Sequence, residues 1–134
     1  MGNWIPDDPT MVAQVLSISA SYAPPPTAGF VSPMRWGIES EVVERFLAAG
    51  VRGDRIAFDR ETFTFEFPGS PAALVSEFRK YYGPTMNAFE AAESQGRAAE
   101  LQSKLESLFV AHNRSPREDL TSIGATYLRV TVSL

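Results

Sequence analysis

Two stretches of period-two alternation flank a helical middle, and they restrict the fold more than any other feature of the chain. Phe63, Phe65 and Phe67 alternate with Thr62, Thr64 and Glu66, the pattern of a half-buried strand with one aromatic face. Leu128, Val130, Val132 and Leu134 alternate with Arg129, Thr131 and Ser133 in the same way. Between them the period changes to that of helices. Ser70-Pro71 opens one helix, carrying Leu74, Val75, Phe78, Tyr81 and Tyr82. Gly83-Pro84 stops it and starts a second, with Phe89 inward and its end near Gly96. A third, over 97–113, sets Leu101, Leu105, Leu108, Phe109 and His112 at 3-4-3 spacing. The strands over 55–67 and 126–134 therefore meet across a block of helices, as an antiparallel pair. The class is α+β, and the 134 residues, with neither repeats nor a linker, make a single domain over 1–134.

Upstream of the first strand the chain reads as a helix, a loop and a second helix. Over 8–22, Asp8 can cap a helix, Pro9 suits its first position, and Val12, Val15, Leu16, Ser19 and Tyr22 share one stripe. Residues 23–37, APPPTAGFVSPMRWG, form the one long irregular stretch. Three consecutive prolines cannot join a helix interior. A loop of this length in a compact domain is more often a lid or binding loop than filler. Val42, Val43, Phe46 and Leu47 then make a short amphipathic helix closed by Gly50.

Composition removes several kinds of chemistry. The chain has no cysteine and a single histidine, His112. Disulfide frameworks, thiol catalysis and multi-histidine metal centres are excluded. A net charge of −4 gives no basic surface for nucleic acid or an anionic membrane. No apolar run reaches the roughly 18 residues of a membrane span, and no basic-then-apolar leader opens the chain, so a cytoplasmic location is expected. None of the nine glycines is separated from another by one residue. Without a G-x-G, the chain lacks a dinucleotide fingerprint and the usual phosphate-cradling turns.

The motifs fall in an informative order. Gly2-Asn3-Trp4-x-Pro6 is followed by Pro24-Pro25-Pro26 and by Ser32-Pro33-x-x-Trp36-Gly37. Then come Phe63-x-Phe65-x-Phe67, the stretch Tyr81-Tyr82-Gly83-Pro84-Thr85, and a terminal strand with Tyr127-Leu128. Over essentially the whole chain this resembles the C-terminal half of class I S-adenosylmethionine-dependent methyltransferases of the small-molecule, quinone-biosynthesis-like type. The resemblance implies a Rossmann-like parent fold, with Asn3-Trp4 following the fourth or fifth strand of its sheet. It implies that S-adenosylmethionine is held by an N-terminal half absent here, so that this chain alone binds no cofactor. A separately encoded cofactor-binding half is then an expected partner. The alternative is a stand-alone module that binds an apolar small molecule or a protein. In either case the antiparallel edge of a seven-stranded sheet has lost its neighbour, and uncovered strands invite pairing. A homodimer through the 55–67 strand, the 126–134 strand or the N-terminal helix is expected.

The candidate site residues are large side chains at loop positions. Trp4, Phe30, Met34 and Trp36 either line an acceptor pocket, as the resemblance implies, or cover the core from outside. Of Tyr81 and Tyr82, beside the Gly-Pro turn, one packs with its hydroxyl bonded to backbone while the other can face a ligand. His112 is the one group that ordinarily titrates near neutrality, yet its place at a helix end favours a structural role. Asp7 and Asp8 read as capping residues, and Arg114 to Asp119 as a solvated turn. No nucleophile elbow and no metal-ligand spacing is present. Neither catalytic nor metal-binding residues are assigned.

Overall fold

The structure, a computed structural model, describes all 134 residues. Strand β1 (Gly2–Trp4) leads into helix α1 (Met11–Tyr22), and the proline-rich segment ends in a 3-10 turn, Pro33–Gly37. Helix α2 (Glu39–Ala48) follows, then strand β2 (Ile56–Phe67), helices α3 (Pro71–Tyr81), α4 (Gly83–Ser94) and α5 (Ala98–His112), and strand β3 (Thr121–Val132). The α+β expectation holds. The sheet has three antiparallel strands in the order β1-β3-β2.

The β2–β3 register runs without a bulge from Ile56 opposite Val132 to Phe67 opposite Thr121. This corrects the terminal strand, which spans 121–132 rather than 126–134. The physical reason is a change of face. Ile123 and Ala125 are buried against the helices, whereas Leu128 and Val130 are buried in a separate cluster. Odd and even positions of a strand point to opposite faces. The alternation of the last residues therefore reports only one of two buried faces, and the beginning of the strand is lost to it. Leu134 lies beyond the sheet, fully exposed.

Two cores follow from this switch. Against one face, β2 and β3 pack on α1, α3, α4 and α5 through Met11, Val15, Tyr22, Val75, Phe89, Leu101, Leu105 and Phe109. Against the other, at the opposite end of the strand pair, α2 places Val42 on Leu128, Val130 and Ile5. Phe65 and Phe67 lean on the first core and Phe58 on the second. Phe63 remains half exposed, at 53%.

A second correction concerns β1. The other neighbour of the terminal strand, expected to be missing with the cofactor domain, is supplied by this chain: Gly2, Asn3 and Trp4 pair with Arg129, Leu128 and Tyr127. A three-residue strand has no periodicity to betray it.

Local chemistry sets the helix ends. The first helix begins at Met11 rather than near Asp8. The Asp8 carboxylate accepts from the Thr10 N–H at 2.8 Å and from the Thr10 hydroxyl, so it ties the preceding turn and does not cap the helix. The Thr10 hydroxyl oxygen accepts from the Thr126 N–H at 2.8 Å, which pins the start of α1 to β3. Ser70 caps α3 by accepting from the Ala73 N–H, with Pro71 at the first position. Gly50 and Gly96 take positive φ of 85° and 69° after α2 and α4, the left-handed geometry that glycine permits.

Candidate functional site

Trp4 stands at the junction of three depressions. An apolar slot of about 320 Å³ is lined by Trp4, Val12, Phe65, Leu74, Phe78, Tyr81 and Tyr82, with Glu77 as its one charged residue. A shallower hollow of about 370 Å³ lies on the sheet between Gly2, Asn3, Trp4, Phe63, Phe65 and Tyr127. The largest, a cleft of about 650 Å³, runs between β1, α1, the proline-rich loop and the start of α4. Its wall includes Asn3, Trp4, Leu16, Ser19, Phe30, Met34, Tyr82, Gly83, Pro84 and Asn87, and no charged side chain.

The path of the chain explains why these residues converge. β1 presents Trp4 edge-on to Tyr127, with ring centroids 6.1 Å apart. Gly37 lets the loop come down onto that strand: a Cβ there would lie 2.1 Å from the Trp4 carbonyl oxygen. With the loop end fixed in this way, Phe30 and Met34 reach the cleft. Tyr82 sits on the ridge between slot and cleft, packed against Phe78 at 5.4 Å. Phe78 in turn contacts Phe65 and Phe109, so the ridge is anchored in the main core.

Four of the six candidates, Trp4, Phe30, Met34 and Tyr82, line the cleft, and Tyr81 stands at the rim of the slot, 68% exposed. Trp36 does not join them. It packs in the second core edge-on to Phe46 at 6.3 Å, with the Arg45 guanidinium 4.7 Å over its ring. The 3-10 turn over 33–37 sends Met34 and Trp36 to different places, a divergence that loop residues two apart in sequence do not reveal. Neither Tyr81 nor Tyr82 bonds its hydroxyl to backbone, contrary to expectation; Lys80 lies 5.0 Å over the Tyr81 ring. His112 ends α5 and lines none of the three depressions.

The residues that sequence reasoning missed are polar. Asn3 and Ser19 both line the cleft, and Asn3 Nδ2 and Ser19 Oγ, like Tyr22 Oη and Thr85 Oγ1, are buried without a hydrogen-bond partner in the protein. Most buried polar atoms are partnered, and an orphan costs on the order of 1–3 kcal/mol. A signal for Ser19 was present: a serine on the apolar stripe of α1, where a hydrophobic side chain would serve the core better.

Electrostatics around the site is sparse. Burial pushes the Tyr82 phenol above its ordinary pKa, so it is a neutral donor in the cleft wall. On the sheet hollow, Tyr127 donates to Glu61 at 2.7 Å, which raises its pKa, and Arg129 bridges Glu61 and Asp59. No group of three or more His, Asp or Glu side chains is clustered to hold a metal ion. The crossing from β1 to α1 beside the cleft contains Pro6 and Pro9, which have no N–H to donate, and no glycine.

No protein-family model matches the chain, and neither the curated proteins nor the solved structures yield a match. No helix is long and apolar enough to cross a membrane.

Proposed function

We propose that this chain is the acceptor-binding part of a small-molecule methyltransferase-like fold: it holds an apolar molecule in the Trp4 cleft and is not catalytic by itself. One observation carries the binding half of this reading. Trp4, Phe30, Met34 and Tyr82 converge on one cleft without a charged side chain, of a volume typical of small-molecule sites. An apolar body lies on Trp4, Phe30, Met34 and Tyr82. The methyltransferase half of the reading rests on the resemblance. A strand antiparallel to both neighbours, between β1 and β2, suits the edge of a larger sheet continued beyond β1 by a second polypeptide that holds S-adenosylmethionine.

A stand-alone binding module is the second reading, and one observation favours it. With β1 paired to residues 127–129, the neighbour on the outer side of β3 comes from this chain itself.

The test uses a Trp36→Phe variant, which leaves Trp4 as the single tryptophan. Titration with 1,4-naphthoquinone quenches its fluorescence to saturation if the cleft binds, and Trp4→Phe removes the corresponding calorimetric heat. Purely linear, collisional quenching overturns the binding reading. S-adenosylmethionine alone gives no calorimetric binding of micromolar strength, about −8 kcal/mol; such binding would contradict the division of labour.

A further inference from the structure

We propose that two copies of this chain pair along the open edge of β2, antiparallel about a twofold axis at Phe63, and join their sheets into one. The Arg55 carbonyl accepts from the Ser133 N–H at 2.9 Å. Bonded and non-bonded positions alternate in an antiparallel ladder, so the odd-numbered residues of β2 bond inward to β3. The N–H and C=O groups of Phe58, Arg60, Thr62, Thr64 and Glu66 therefore face outward, along an edge that no strand of this chain covers. The usual devices that blunt an edge are missing: β2 contains neither Pro nor Lys, and its pairing with β3 runs without a bulge.

Charge selects both the occupant and the register. Residues opposite each other in a ladder share a face, and faces alternate along a strand, so a twofold between two β2 strands must fall at a residue. Centred on Phe63, it sets Arg60 opposite Glu66, Thr62 opposite Thr64 and Phe63 opposite itself. Arg60 and Glu66 are both exposed, and neither has an ion-pair partner within the chain. The nearest carboxylates on β2, Asp59 and Glu61, are held by Arg129. An axis at Arg60 or Glu61 would place like charges face to face, and one at Thr62 or Thr64 would leave Arg60 and Glu66 without each other. Pro68 then falls opposite Phe58 and ends the ladder, since it has no N–H to give. Phe63, exposed in the single chain, also lines the sheet hollow beside Trp4, and Phe63 of the partner subunit adds a wall to it.

Sedimentation equilibrium tests the pairing and its register together. The wild type has the mass of two chains at tens of micromolar. Arg60→Glu and Glu66→Arg, each alone, weaken self-association on the order of tenfold, because like charges then stand opposite at both ends of the ladder. Mixing the two variants restores the dimer, which also shows that both fold. Phe63→Cys, in a chain with no other cysteine, cross-links on mild oxidation, since Cα atoms of a non-bonded pair lie about 4.5 Å apart. Glu61→Cys, on the same face but opposite Phe65, does not. A wild type with the mass of one chain, single variants that associate like the wild type, or a Phe63→Cys protein that stays monomeric in oxidant overturns the proposal.

Discussion

Gly37 and Tyr82 show how much of the site depends on single side chains. At Gly37 the backbone passes so close to the Trp4 carbonyl that even a methyl group would sit at 2.1 Å. Backbone cannot yield there as a flexible side chain can. Gly37→Ala is expected to cost about 1–3 kcal/mol, the range of overpacking, and to loosen the loop that carries Phe30 and Met34. Urea denaturation measures the first effect, and weaker binding of 1,4-naphthoquinone the second. Tyr82 gives a pH dependence. Its folded pKa lies above the unfolded value of about 10 because burial disfavours the phenolate. Its contribution is fully present below that unfolded value and is lost as pH rises through the folded one. Between pH 9 and 11 the wild type therefore loses stability that Tyr82→Phe retains, read as a smaller drop in the urea midpoint. No difference in slope between the two proteins would mean that the Tyr82 phenol is not buried in the folded state.

At the scale of elements, the helices were legible because each carries its own punctuation. Ser70-Pro71, Gly83-Pro84, Gly50 and Gly96 mark ends that the structure keeps, and the stripe of Leu101, Leu105 and Phe109 is buried as its spacing implies. The strands were legible only in part. β3 changes buried face midway, from Ile123 and Ala125 to Leu128 and Val130, and a pattern reader sees the second half alone. β1 is too short for any pattern and exists because Arg129, Leu128 and Tyr127 offer it an edge. The cleft was partly foreseen for the same reason. Bulky loop residues announce themselves, but the convergence of Asn3, Ser19 and Gly83 is tertiary, and Trp36 was misplaced by a local turn. The face switch has a testable corollary. Val130→Asp places a charge under α2 without touching the helical core on the other face, so α2 detaches while α5 stays. Hydrogen exchange then shows lost protection over Glu39–Ala48 and retained protection over Ala98–His112. Simultaneous loss in both would mean the two cores are one cooperative unit.

For the whole molecule, the open edges of β1 and β2 are where a second chain can add. Apolar surface adds little to this, since Phe58, Phe65 and Phe67 are partly buried in the two cores and Phe63 alone of that set is exposed. The twelve-residue outer edge of β2 remains unpaired, and pairing there predicts a dimer. Light scattering coupled to size exclusion at tens of micromolar decides it, and the mass of one chain would exclude the dimer. The long strand pair also has a kinetic consequence. β2 and β3 are separated by the whole of α3, α4 and α5, so their register cannot form until those helices have brought residues 67 and 121 together. Local contacts among the helices come early and the distant ribbon late. Substitutions in the ribbon and under α2, such as Val42→Ala, are then felt in the unfolding arm of a chevron, while Phe109→Ala slows refolding. The sheet that shapes the cleft is thus the last part of the molecule to assemble, and the site comes into being only when folding is nearly complete.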